Sequence, residues 1–199
     1  MDCWGVSGKL ERKIVKMNKL KTMLKAEKLH PKERYYVTKV DEFSHVVNSG
    51  LFLSSKKTKR NIAYSLRYLE FLKIQLDELV LDDLMKKMIW KNFIITSISV
   101  IEVIMQDRTN NNKFGEKLLN EFREKNPLSL SDNDLDKLDD FRKLRNRVHI
   151  EIKYDDDDTD WFMFGEKEYL EMKNLLYNFL TSEKMFNSMY IKNVDFLKS

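Results

Sequence analysis

The sequence predicts an all-α fold, and three observations carry that prediction. Two prolines and five glycines in 199 residues are too few turn-formers for the closely spaced tight turns of a sandwich or barrel. Apolar residues recur at three- and four-residue steps through most of the chain, the period of a helix with one buried face. Charged residues make up 34%, as in long helices with solvated faces. The 42% of hydrophobic residues are enough to fill the core of one domain of ordinary size.

Taken in order, residues 9–29 have a roughly helical apolar spacing that His30-Pro31 ends, because a residue before proline avoids the helical region. Residues 31–55 carry two short pieces that read as extended, Tyr35-Tyr36-Val37-Thr38 and His45-Val46-Val47, and a turn signal at Asn48-Ser49-Gly50. A helix is predicted over 56–80 from Ile62, Leu66, Leu69, Leu72 and Leu76. A second follows over 82–106, apolar around most of its circumference, which marks a central, buried helix. Arg108 to Asn112 reads as a loop. A shorter helix over 114–124 ends at Asn126-Pro127, and Ser131 with Asp134 three residues on forms a capping signal for a helix over 132–150. Around the acidic run Asp155–Asp158 a short extended pair is expected near 150–165. The chain returns to helix over 166–180, and an amphipathic, peripheral segment closes it over 185–197. The expected organisation is a basic N-terminal arm or helical extension, 1–55, followed by a helical domain, 56–199.

Several function classes lose their footing at this level. The lone Cys3 excludes an internal disulfide and cysteine-rich metal sites. No glycine-rich phosphate loop, zinc-ligand spacing or nucleophile elbow is present. No cofactor or metal is expected. Four consecutive aspartates on one loop rarely converge on an ion, so Asp155–Asp158 reads as a solvated turn. The longest mainly apolar stretch, 93–105, contains Glu102 and falls short of the ~20 residues that span a bilayer. No signal-like h-region precedes it, so the expected location is the cytoplasm. Residues 1–39 hold eleven Lys or Arg against four Asp or Glu, a local excess that favours polyanions. Trp161, Phe162, Phe164 and Tyr169 are expected in the core, since a base-stacking platform needs exposed rings.

The residues with the most chemistry lie together near the end of the 132–150 helix. At 100° per residue, Arg142, Arg145, Asn146 and His149 fall within a wedge of about 100°, beside an apolar stripe of Phe141, Leu144, Val148 and Ile152. Leu135 and Leu138 continue the polar wedge one turn back and can seal it against another helix or subunit. RNA carries its own nucleophile, the 2′-hydroxyl next to the phosphate. Cleavage therefore needs only proton transfer, orientation and charge stabilisation. A histidine with an ordinary pKa of about 6.5 suits the first. Arginine offers phosphate a planar fork of permanent donors, and asparagine holds an oxygen without titrating. The set suffices for metal-independent RNA cleavage or, more simply, for phosphate binding. Glu102 stands on an otherwise apolar helix, where an unpaired charge is costly. Two readings remain open for it: pairing with a motif arginine, or partial exposure.

The segment Phe141-Arg142-Lys143-Leu144-Arg145-Asn146-Arg147-Val148-His149-Ile150 resembles the signature of the HEPN superfamily. In these helical proteins an arginine, usually followed by a polar residue, precedes a histidine on one late helix. Arg145-Asn146 matches that signature best in chemistry, leaving three residues before His149. Arg142, leaving six, matches best in spacing. The resemblance spans roughly residues 80–180. It implies an antiparallel bundle and a homodimer with the active site at its interface. It also implies RNA endonuclease activity of the kind used in toxin–antitoxin, abortive-infection and antiviral defence systems, with RNA as substrate and an antitoxin or other regulatory protein as further partner. Arg142, Arg145, Asn146 and His149 would be the catalytic group and Glu102 the orienting one. The alternative is a non-catalytic HEPN-like module that binds RNA or a protein.

Overall fold

A computed structural model describes residues 36–50, 53–110, 115–147, 163–182 and 194–198. Among these residues there are six α-helices and no strand: α1 (Val40–Gly50), α2 (Lys56–Glu78), α3 (Asp83–Thr109), α4 (Glu116–Lys125), α5 (Asp132–Asn146) and α6 (Glu166–Thr181). The described residues form an all-α helical bundle. The chain divides into two compact units, Met1–Tyr36 and Val37–Ser199. Cys3, His30 and the helix expected over 9–29 lie outside the described residues, as do Asp155–Asp158 and most of the extended pair expected near 150–165, whose described residues 163–165 are not a strand.

Within the larger unit α3 is the central element, packed on by α2, α4, α5 and α6, while α1 packs on α2. Its 27 residues span about 40 Å. Phe93, Ile94, Ile98, Ile101 and Ile104 are fully buried, on several sides of the helix, as the all-round apolar pattern predicts. Among the described residues α3 is long and apolar enough to cross a membrane by length and composition, and 61% of its apolar window is buried inside the fold. That burial is what a core helix requires.

Local chemistry sets the ends of these helices. Ser55, Asp82 and Ser131 each accept a hydrogen bond from a first-turn amide, at Thr58, Met85 and Asp134 respectively, satisfying donors that the helix leaves orphaned. Helix α4 starts from Gly115, whose φ of 69° and ψ of −141° suit glycine alone. It ends at Asn126 in the left-handed region. The Asn126 side-chain amide then donates to the Leu130 carbonyl and accepts from the Leu130 amide, both at 2.9 Å, which fixes the turn into α5. Replacing Ser131 by alanine is expected to destabilise the fold by about 1 kcal/mol, measured by urea unfolding. An unchanged midpoint would show that the Asn126 turn holds α5 without its cap.

Three expectations change. His45-Val46-Val47 is helical, not extended: Phe43, Val46 and Val47 fall on one face of α1 and are fully buried, and this packing overrides the strand preference of paired valines. The domain boundary drawn between 55 and 56 therefore falls inside a packed unit that begins at Val37. Thr38 is tied to α2 through Glu70, whose two carboxylate oxygens accept from its amide and its hydroxyl at 2.7 Å each. Of the segment expected to be peripheral, 185–197, the described residues 194–197 are not: Val194 and Leu197 are fully buried, and the Phe196 ring meets Phe43 edge-on at 6.2 Å.

Candidate functional site

Helix α5 is shorter than expected. It ends at Asn146, and the Arg147 amide donates to the Leu144 carbonyl at 3.2 Å, an i→i−3 closure that tightens the last turn. The helix predicted to reach 150 thus stops four residues earlier. His149 and its neighbours Val148 and Ile150 lie outside the described residues, as do Ile152, Trp161 and Phe162. The wedge of four polar residues is described for three of its members.

These three have different surroundings. Leu135, Leu138 and Phe141 form the buried stripe of α5, and Leu144 packs against the core from its edge. Arg145 follows Leu138 by seven residues, two turns along nearly the same line, so its side chain is carried toward α3. There Nη1 donates to both oxygens of Glu102, at 2.9 and 2.8 Å. Glu102 is 8% exposed, whereas the Arg145 side chain keeps 35% of its surface. The pair thus has a dry end on α3 and a wetter end on α5. Of the two readings left open for Glu102, the structure places it in the pair.

Burial pushes the Glu102 carboxyl above its ordinary value. Arg145, and then Arg142, pull it back without cancelling the shift. Desolvation outweighs both arginines here, as burial penalises the charged form of the carboxyl.

Arg142 is held differently. Its Nε and Nη2 both donate to Asp139 Oδ1, at 2.9 and 2.7 Å, one turn back on the same helix. Lys143 reaches Asp139 Oδ2 at 2.7 Å. Burial of the Asp139 carboxyl opposes ionisation, yet the hydrogen bonds from Lys143 and Arg142, with their charges, hold it below the usual range. Sequence reasoning missed Asp139. Its signal was present in the i, i+3 and i, i+4 spacing to Arg142 and Lys143. Asn146 is exposed. Arg147 sends Nη1 to the Met163 sulfur at 3.1 Å.

The end of α5 therefore gathers Arg142, Arg145 and Asn146 beside a buried carboxylate, with two guanidinium groups oriented by fixed acceptors. Such a cluster can hold a phosphate through the donors that Glu102 and Asp139 leave unused, since one guanidinium has five. Among the described residues no group of three or more His, Cys, Asp or Glu is placed to hold a metal ion. Phe164 and Tyr169 are buried and belong to the core. Comparison with family models, with curated proteins and with solved structures gives no match.

Proposed function

We propose that this chain is a metal-independent endoribonuclease of HEPN-like design, active as a cytoplasmic homodimer in a defence or toxin–antitoxin setting. The observation that carries the reading is the Arg145–Glu102 pair. A buried carboxylate on the central helix fixes one motif guanidinium at the end of α5, four positions before His149 in sequence. Preorganised cationic donors of this kind stabilise charge as it develops on a phosphorane, and they need no reorganisation during the reaction. In the proposed reaction His149 takes the proton from the RNA 2′-hydroxyl or delivers one to the leaving 5′-oxygen. Arg142 and Arg145 hold the phosphate, and Asn146 orients the substrate or the partner's motif. Glu102 acts through Arg145 as a positioning residue. Two copies of the motif in a homodimer would supply one base and one acid, and an antitoxin or other regulator would act by covering them.

A second reading is favoured by one feature of the same site. Arg142 and Arg145 are both already paired with carboxylates, which suits a non-catalytic module that binds RNA or a protein through this helix. The two readings separate in one experiment: end-labelled total RNA is incubated in EDTA with the parent protein, His149→Ala and Arg142→Ala. The ribonuclease reading expects cleavage by the parent and a loss of at least ~100-fold in rate without His149, the scale of general acid–base catalysis. Equal cleavage by parent and His149→Ala would refute it. Binding without cleavage by a folded parent would transfer the case to the module.

A further inference from the structure

The outer face of α2 belongs to neither the core nor the α5 cluster. Its inner face buries Ile62, Leu66, Leu69 and Leu72. On the opposite side Lys57, Arg60, Tyr64, Arg67, Tyr68 and Phe71 fall within a wedge of roughly 100°, and all six are exposed. Tyr64 keeps 51% of its surface, and Tyr68 and Phe71 keep 42% each. With Val37 the three rings and Arg67 line a groove of about 440 Å³. Toward the start of the helix, Lys56, Lys57, Lys59 and Arg60 line a second groove of about 830 Å³, shared with Asp41, Ser44 and Asn48 of α1. Between positions 56 and 71 the acidic residue is Glu70, and both of its oxygens are occupied by Thr38.

We propose that this face is a track for single-stranded nucleic acid, with Tyr64, Tyr68 and Phe71 stacking on bases while Lys57, Arg60 and Arg67 hold the phosphates. Exposed rings interleaved with cations are what sequence-tolerant single-strand binding requires, since every base has a stacking face and every nucleotide a charge. The spacing fits. Tyr64 and Tyr68 are four residues apart, a rise of ~6 Å, close to the ~7 Å between bases that sandwich a ring, twice the ~3.4 Å stacking distance. From Lys57 to Phe71 the track is about 21 Å long, enough for three or four such nucleotides. A protein-docking face would be expected to be low in charge at its centre, whereas Lys57, Arg60 and Arg67 share this face with the three rings. The inference is independent of the proposed cleavage chemistry, which resides on another helix.

The test is fluorescence anisotropy of the full chain with three labelled probes: ten-nucleotide oligo(dT), oligo(U) of the same length, and a ten-base-pair DNA duplex. Oligo(dT) lacks the 2′-hydroxyl, so it reports binding whether or not the protein cleaves RNA. The expected result is binding of the single strands well above the duplex. Tyr64→Ala and Tyr68→Ala should each weaken it tenfold or more, with the thermal unfolding midpoint unchanged. Arg60→Ala should lower the slope of log affinity against log salt by about 0.7, one released counterion. Equal affinity for the two single strands would assign the track to phosphates and bases in general, and preference for oligo(U) would assign it to RNA. The proposal is overturned if neither single strand binds, if binding survives loss of both tyrosines, or if their loss abolishes self-association instead, which would make the face a contact between two copies.

Discussion

Replacing Phe93 by alanine is expected to destabilise the fold by about 3–5 kcal/mol, a large part of the 5–15 kcal/mol typical of a domain. Phe93 is fully buried on the central helix, and its ring meets Tyr169 of α6 edge-on with centroids 4.8 Å apart. Truncation removes the transfer energy of the ring and opens a cavity between two helices that are pinned elsewhere along their length, so the site can collapse only in part. Tyr169 would also lose an edge-to-face partner worth about 1 kcal/mol. Its hydroxyl is already held in neutral form, with a pKa pushed up to about 12 by burial and by the charge of Asp77. Urea unfolding monitored by circular dichroism measures the loss. Phe71→Ala is the matched control: the same change on the exposed side of α2 is expected to stay within ~0.5 kcal/mol. Similar losses at the two positions would mean that α3 is not the centre of the core.

The second large effect is at Arg145. Removing it strands the Glu102 carboxylate in a site with 8% exposure. Breaking a buried pair by deleting one partner costs about 3–5 kcal/mol, and the lower end is expected because the guanidinium keeps a third of its surface in water. Replacing both residues, as Glu102→Leu with Arg145→Leu, is expected to recover most of that loss, because no charge is then left without a partner.

The loss in Arg145→Ala should also depend on pH, with a definite sign. A carboxyl whose folded-state pKa is raised stabilises the fold in its protonated form. Its contribution is fully present below its ordinary value of 4.5 and is lost as pH rises through the raised value. Deleting Arg145 removes the main attraction that opposes the shift, so the Arg145→Ala protein should fall further below the parent at pH 8 than at pH 5. Asp139 has the opposite sign: its pKa is lowered, so its contribution is present above the ordinary value and lost as pH falls through the lowered one. It is retained in both proteins, and to first order it cancels in the comparison. An equal deficit at pH 5 and pH 8 would show that Glu102 stays ionised throughout, and the account of burial outweighing the arginines would fail. A further variant at the pair bears on function. Loss of RNA cleavage in Glu102→Gln, with the unfolding midpoint preserved, would mark the pair as part of the catalytic design and not only of the core.

The all-α class, the central place of α3 and the start of α5 were legible in the sequence, each for a physical reason. Turn-formers are scarce, α3 is apolar on all sides, and Ser131 with Asp134 writes a cap that needs nothing beyond its own turn. The pairing of Glu102 with a motif arginine was legible as one of two readings, since a carboxylate amid isoleucines must either find a cation or stay partly in water. The identity of that arginine was not. Two arginines qualified, each seven residues after a buried leucine, and only the structure shows that Arg145 meets Glu102 while Arg142 is held by Asp139 one turn back on its own helix. Local preference misjudged α1, where adjacent valines read as extended until Phe43, Val46 and Val47 met α2. It also misjudged the chain end, where Val194 and Leu197 are buried. Tertiary packing alone decided which side of α2 would be left over once its leucines were covered, and thereby exposed Tyr64, Tyr68 and Phe71 beside Lys57, Arg60 and Arg67. Periodicity in a sequence gives the face that must be buried; which charges meet across that face, and what remains outside it, depends on neighbours far along the chain.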